Sequence, residues 1–185
     1  MIFVSYLSNL AYSAAIASLT KYLLENGHER IVYLVGNLAA PVSNLRVEGY
    51  ISAFRDAHLS YQPEWIVTAD VTLQGGYSAT EQILGKFQPD AIITVNDFMA
   101  MGVLKNLKEH HIQVPQDISV AGYDDLIYSS MLETPLTTVK QPLEQICQRT
   151  VSILLKQLTD LETVTEKFLL KPSLIIRSSS CPHEL

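Results

Sequence analysis

The sequence predicts an α/β protein with a doubly wound, mainly parallel β-sheet and helices on both of its faces. Short apolar runs alternate along the chain with segments of helical periodicity, and this alternation is typical of βα units. The segment 89–95 (PDAIITV) carries a continuous apolar run, as expected for a strand covered on both faces. A chain of 185 residues is long enough for one well-packed core or for two small lobes.

Five segments are predicted as helices because apolar residues recur in them at helical spacing, and they span 11–25, 45–58, 75–87, 98–110 and 142–158. In the first of these, Ile16, Leu19 and Leu23 lie on one stripe. Gly27 is placed to end that helix in the left-handed conformation. Pro142 suits the first position of the last helix, where a missing backbone N–H costs nothing.

Seven short segments rich in β-branched and aliphatic residues are predicted as strands, and they span 3–7, 31–35, 65–68, 89–95, 118–121, 136–139 and 168–176. Gly36 closes the second strand, and Pro135 lies in the loop before the sixth. Pro172 interrupts the last one. A proline cannot donate to a sheet ladder, so this segment is expected at the sheet edge.

The composition argues against several classes of protein. The net charge of −6 makes the chain a poor nucleic-acid binder, because DNA affinity comes largely from Lys and Arg at phosphates. No apolar run approaches the ~20 residues of a membrane helix, and the first residues do not form a signal peptide, so a cytoplasmic location is expected. The two cysteines and five scattered histidines have no metal-ligand spacing, so neither a metal nor a cofactor is expected.

Polar residues follow four of the predicted strands, at the edge where open α/β sheets bind their ligands. Arg46 comes after strand 31–35, Asn96 after 89–95, Asp124 after 118–121 and Gln141 after 136–139. Carboxylates, amides and a guanidinium can pair bidentately with vicinal hydroxyls. The sequence therefore predicts a sugar or nucleoside site at this edge.

Structural roles compete with these assignments. Asp97 begins a helix and is interpreted as its N-cap, and Asp125 is interpreted as capping a turn. Asn96 fits an Asx-turn as well as a ligand contact. Arg46 gains nothing from the helix dipole, so it needs a partner, either a ligand or Asp124. Asp124 has no capping task, which favours a role in binding.

Catalytic signals are absent from the sequence. It contains no G-x-S-x-G elbow, no H-E-x-x-H pair and no phosphate loop. Asp124 and Asp125 are adjacent, so in extended chain their side chains point to opposite sides and do not form a catalytic pair. We therefore expect no catalytic residues and no enzymatic activity.

Five motifs, in this order, resemble those of LacI/GalR-type transcriptional regulators: LLENGHERI (23–31), RVEGY (46–50), NDFMAMG (96–102), VPQDISVAGYDD (114–125) and PLTTVKQP (135–142). The resemblance extends from about residue 20 to residue 180. It implies a periplasmic-binding-protein-like effector domain of type I, with two lobes and the ligand between them. It also places Arg46, Asn96, Asp124 and Gln141 at effector-contacting positions.

The resemblance further implies a division of the chain into parts. Residues 1–29 would be the remnant of an N-terminal lobe, and 30–139 a complete C-terminal effector-binding lobe. Residues 140–160 would be a helix returning to the first lobe, and 161–185 the terminal strand and tail. The family's DNA-binding headpiece and the opening βα units would lie upstream of Met1 and are not in this sequence. Val71 stands where the family often has an aromatic ring that stacks on the ligand.

These observations lead to a small-molecule sensing domain without a headpiece, which dimerises and reaches DNA only through a headpiece that this chain lacks. Two other interpretations stay open at this point. One is a solute-binding protein for transport, which the lack of a signal peptide disfavours. The other is a truncated remnant that has no ligand competence. An enzyme on the same fold is the least favoured, since fold alone does not define function.

Overall fold

The computed structural model describes residues 9–160 and 170–181. Its helices are α1 (Asn9–Glu25), α2 (Pro41–Asp56), α3 (Leu73–Leu84), α4 (Asp97–Glu109) and α5 (Leu143–Asp160). Its strands are β1 (Ile31–Val35), β2 (Ile66–Thr68), β3 (Ala91–Thr94), β4 (Ser119–Asp124), β5 (Thr137–Lys140) and β6 (Ser173–Ile175). Short 3₁₀ helices span Pro63–Trp65 and Ile127–Ser130.

The strands form one sheet in the order β2-β1-β3-β4-β5-β6. The first five strands are parallel, and β6 pairs antiparallel with β5 at the edge. The chain moves outward from β1 to β2 but in the opposite direction from β3 to β4. With right-handed crossovers, α2 and α4 therefore lie on opposite faces. The packing agrees, because α1 pairs with α2 while α3 pairs with α4. The predicted fold class is confirmed.

Most predicted elements are present with shifted ends. Strand β4 continues to Asp124, three residues past its predicted end at 121, because Asp124 still pairs with Lys140 in β5. Helix α2 begins earlier than predicted, with Pro41 in its first turn. Trp65 belongs to a 3₁₀ turn instead of a strand. The predicted strand at 3–7 lies outside the described residues, as does the first part of the segment 168–176.

Helix α1 shares the core of the sheet. Ile16, Leu19 and Leu23 are fully buried in the same cluster as the strand residues of β1 and β3. A Cβ on Gly49 in α2 would lie 2.2 Å from the carbonyl oxygen of Ser13, so this glycine is what lets α1 approach α2. The division of the chain at residue 29 stays a prediction, but α1 packs against the sheet and not apart from it.

The end of α1 is formed as expected, because Gly27 has a φ of 86°. His28 is fully buried, and its Nε2 lies 2.9 Å from the carbonyl oxygen of Cys181. It therefore connects the end of α1 with the C-terminal segment. None of the helices in the described part of the chain is long and apolar enough to cross a membrane.

Helices α3 and α4 cross in close contact through two glycines. A Cβ on Gly102 would lie 2.0 Å from the carbonyl oxygen of Leu73, and one on Gly76 would lie 2.2 Å from that of Met99. Real side chains do not approach backbone so closely. Each glycine therefore permits the close crossing of α3 and α4.

We expect Gly102→Ala to lower the free energy of unfolding by about 2 kcal/mol, because overpacking must push α4 away from α3. The matched control is Gly85→Ala, which has no neighbour closer than 3.6 Å and a φ of −74°. It should raise stability by about 0.5 kcal/mol through the entropy of the unfolded chain. Urea denaturation of both variants measures the difference. Equal stabilities would contradict the crossing geometry.

Candidate functional site

The topology creates a crevice between β1 and β3. These neighbouring strands lead to helices on opposite faces of the sheet, which makes the gap at their carboxyl ends a topological switch point. Arg46 lies in α2 directly after β1, and Asn96 follows β3. Two of the four predicted effector contacts are therefore attached to the two strands that form the crevice.

The Arg46 side chain is fixed by a carbonyl group and two aromatic rings. Its Nη1 donates a hydrogen bond of 3.1 Å to the carbonyl oxygen of Val95, the residue before Asn96. The guanidinium lies 4.2 Å from the ring centroid of Tyr123 and 5.1 Å from that of Tyr12. Both distances are within cation–π range. The sequence predicts a ligand or Asp124 as the partner of Arg46. The structure gives it a carbonyl group and two rings, and its positive charge also acts on Asp124, whose pKa it lowers.

Asp124 and Gln141 meet at the ends of β4 and β5. Gln141 Nε2 donates a 2.6 Å hydrogen bond to Asp124 Oδ1. Burial raises the pKa of Asp124 above its ordinary value, and the negative charge of Asp97 adds to this rise. The hydrogen bond from Gln141 and the positive charge of Arg46 oppose it. The structure therefore brings three of the predicted residues, Arg46, Asp124 and Gln141, into one electrostatic unit.

Asn96 caps a helix, a role that the sequence predicts for Asp97. Its side chain accepts a 2.9 Å hydrogen bond from the backbone N–H of Met99, which makes it the N-cap of α4. The interpretation of Asp97 as that N-cap is wrong, because Asp97 is already the first residue of the helix. Asn96 lies at the predicted edge, and its contact with an effector stays a prediction.

Asp97 is instead a fully buried hydrogen-bond acceptor. It accepts from the backbone N–H of Leu126 at 2.8 Å, from Ser129 Oγ at 2.6 Å and from Thr138 Oγ1 at 2.6 Å. Burial raises its pKa, and these three hydrogen bonds oppose the rise. A Cβ on Gly122 would lie 2.3 Å from Asp97 Oδ1, so the carboxylate occupies the space beside that glycine.

Asp125 directly follows β4, and its side chain forms ion pairs, so its capping of a turn stays a prediction. Oδ1 is 2.6 Å from Nη2 of Arg177, and Oδ2 is 3.5 Å from Nζ of Lys140. The two neighbouring aspartates therefore have different surroundings. Asp125 is neutralised by cations, while Asp124 faces an amide.

A cavity of about 410 Å³ opens beside these groups, and its polar lining includes Asp124, Asp125, Lys140, Gln141 and Lys171. A larger cavity of about 680 Å³ lies elsewhere, between the end of α4 and the loop at Leu132. We assign the site to the smaller cavity because Asp124 and Gln141, two of the four predicted effector contacts, line it. Among the described residues no group of His, Cys, Asp and Glu could hold a metal ion.

Reasoning from sequence missed three contributors to this edge. Tyr12 and Tyr123 cover the faces of Arg46, and Arg177 pairs with Asp125. Tyr123 was detectable, because it directly precedes Asp124 on the same strand. Tyr12 and Arg177 come from distant segments, so no local pattern could indicate them. Val71 is about half exposed, and its side chain lies close to Gly36 after β1.

The chain folds as a mainly parallel α/β domain with a cluster of polar side chains at the carboxyl ends of its strands. Residues 20–180 match the model of the periplasmic binding protein-like domain, and the chain belongs to this family. The resemblance to the effector domain of LacI/GalR-type regulators is confirmed by relatives and solved structures.

The chain is 37% identical over 162 residues to the ribose operon repressor of Escherichia coli K12, covering 87% of this chain and 49% of the repressor. It is 35% identical to the HTH-type transcriptional repressor PurR of Aliivibrio fischeri, covering 86% of this chain and 48% of that protein. The chain thus spans about half the length of the curated relatives it matches.

A similar solved structure is a LacI family regulator from Enterococcus faecium with bound ribose. It superposes with a TM-score of 0.84 at 25% identity, covering 94% of this chain and 65% of that one. The relatives and neighbours reported for this chain are transcriptional regulators.

The raised pKa of Asp124 predicts a pH-dependent stability difference between the parent and Asp124→Asn. Between the ordinary pKa of an aspartate and the raised pKa of Asp124, the folded protein binds more protons than the unfolded chain. The Asp124 contribution to the free energy of unfolding is therefore largest below the unfolded pKa and is lost as the pH rises through the folded pKa. Asp124→Asn should gain stability relative to the parent as the pH rises.

Denaturation series from about pH 4 to pH 7 would measure this difference. Asp56→Asn, which removes an exposed carboxylate at the end of α2, provides the baseline. Asparagine keeps an acceptor for Gln141 and tolerates positive φ, so the variant should fold. A difference that stays constant, or that shrinks with rising pH, would refute the assignment of Asp124 as the desolvated carboxylate.

Proposed function

We propose that this chain is the effector-binding domain of a LacI/GalR-type transcriptional regulator and that Arg46, Asn96, Asp124 and Gln141 bind a hydroxyl-rich small molecule of the sugar or nucleoside class. One observation carries this proposal. At the carboxyl ends of the parallel strands, a guanidinium, a carboxylate and a primary amide lie in one polar unit, and the carboxylate and the amide line an open cavity. Vicinal hydroxyls can both donate to the carboxylate and accept from the amide and the guanidinium.

The relatives support the class of ligand. The matched regulator from Enterococcus faecium holds ribose, and the curated relative with 37% identity is a ribose operon repressor. Sensing, and not chemical conversion, is the proposed activity, because the curated relatives are transcriptional repressors. The proposal includes a cytoplasmic location and DNA contact only through a headpiece of the LacI/GalR type.

Self-association is part of the proposal because one surface is strongly apolar. Phe98 at the start of α4 and the side chains of Ile127, Tyr128 and Met131 are between 47% and 74% exposed. We call these four residues the apolar patch. The 127–131 segment is tied to the first turn of α4 through Asp97. Exposed patches of this kind mark interfaces, and a homodimer would bury the patch against itself.

The binding proposal predicts that D-ribose titrated into the protein gives a saturable heat signal and a rise in the melting temperature. Arg46→Met and Asp124→Asn should each weaken binding about tenfold or more, because each removes a charge-assisted hydrogen bond. Asp56→Asn, far from the site, should bind like the parent. Unchanged affinity in both site variants would show that the site is wrong. No saturable response to any sugar or nucleoside would favour a remnant without ligand competence.

The dimer proposal predicts a concentration-dependent association in sedimentation equilibrium. Ile127→Asp and Met131→Asp should shift the protein to monomer, because each buries an unpaired charge in the interface. Leu59→Asp, at an exposed leucine after α2, is the matched control and should associate like the parent. A parent that stays monomeric at high concentration would contradict the interface.

A further inference from the structure

The backbone is unusual where β4 ends, at Asp124 and Asp125, and we call these two residues the turn. Asp124 has a φ of 117° and Asp125 has a φ of 56°. Residues other than glycine rarely adopt positive φ, and two in succession at a binding edge persist only where the surrounding structure holds them. The contacts of this turn therefore decide how the Asp124 carboxylate is presented.

Arg177 holds the turn from a segment that is distant in sequence. Its Nη2 lies 2.6 Å from Asp125 Oδ1, and its Nη1 donates a 2.7 Å hydrogen bond to the carbonyl oxygen of Leu136. The Arg177 backbone N–H donates to Thr137 Oγ1 at 2.9 Å. The Arg177 side chain is 19% exposed and that of Asp125 is 10% exposed. One guanidinium thus joins the turn to Leu136, the residue directly before β5.

The other side of the turn is held by Asp97. The backbone N–H of Leu126, the residue directly after Asp125, donates a 2.8 Å hydrogen bond to Asp97 Oδ2. The pair Asp124–Asp125 is therefore fixed on both sides, by a side-chain ion pair at Asp125 and by a backbone hydrogen bond at Leu126. Between these contacts, the Asp124 carboxylate accepts from Gln141.

We propose that Arg177 is a positioning residue of the effector site. It does not need to touch the ligand. Through Asp125 it holds the turn in its left-handed conformation, which aims the Asp124 carboxylate at Gln141. It also neutralises Asp125, so that Asp124 is the carboxylate available to a hydroxyl. This inference deepens the proposed function and rests on it for the ligand that Asp124 receives.

Three variants separate positioning from general stability. Arg177→Met removes the guanidinium but keeps an apolar stem, and it leaves the Asp125 charge without its closest partner. Asp125→Asn removes that charge and supplies a residue that adopts the left-handed region readily. The double variant Arg177→Met/Asp125→Asn therefore lacks the Arg177–Asp125 ion pair. Its residue 125 carries no charge to be paired and adopts positive φ without that contact. Arg30→Met is the matched control, because Arg30 also pairs with an aspartate, Asp90, but far from the site.

The first measurement needs no ligand. Backbone chemical shifts of residues 124 and 125 in isotope-labelled protein report whether φ is positive. We expect positive φ in the parent, in Arg30→Met and in the double variant, and a shift to negative φ in Arg177→Met. Positive φ at both residues in Arg177→Met would overturn the proposal.

The second measurement is calorimetric titration with D-ribose. Arg177→Met should weaken binding at least tenfold, and the double variant should recover most of that loss, while Arg30→Met should bind like the parent. A residue that only stabilises the fold would lower the melting temperature without moving the affinity, and that result would overturn the proposal. If the parent binds no ribose, the proposal that the effector is ribose is contradicted. The chemical shifts alone then test the positioning role of Arg177.

Discussion

The carboxylate of Asp97 accepts three hydrogen bonds in the interior of the protein, from Leu126, Ser129 and Thr138. A buried carboxylate is costly unless such bonds replace its lost hydration, so the groups that surround it cannot be rearranged separately. Those groups belong to α4, to β5 and to the segment that follows the Asp124–Asp125 turn. The position of the candidate effector site relative to the apolar patch therefore depends on this one acceptor.

The other polar side chains at the binding edge bond to one another or to the backbone, but the buried Nε of Arg46 has no hydrogen-bond partner among the described residues. Gln141 donates to Asp124, and Arg46 donates to Val95 while it stacks between Tyr12 and Tyr123. A hydroxyl-rich ligand would replace these internal hydrogen bonds with its own. Its binding free energy is therefore the difference between the hydrogen bonds formed and those lost. Sites of this kind discriminate strongly against ligands that leave a buried donor or acceptor unpaired.

The sequence predicted candidate site residues where these residues come shortly after a strand in the chain. Strand-end positions alone indicated Arg46, Asn96, Asp124 and Gln141, because parallel strands bring their carboxyl ends to one edge. The same reasoning misassigned Asp97, since an aspartate before a helical pattern resembles an N-cap until burial is known. It could not find Arg177, whose pairing with Asp125 spans 52 residues and depends on how β6 and the following segment return along β5. Tyr12 was missed for a similar reason, because its contact requires the packing of α1 on α2.

The most direct test of the central claim is a crystal structure of the chain grown with D-ribose. The account predicts sugar density at the carboxyl ends of the parallel strands, in the cavity that Asp124 and Gln141 line, with its hydroxyls within hydrogen-bond distance of these two side chains. Ribose bound in the larger cavity between the end of α4 and Leu132, with the switch-point edge unchanged, would contradict it.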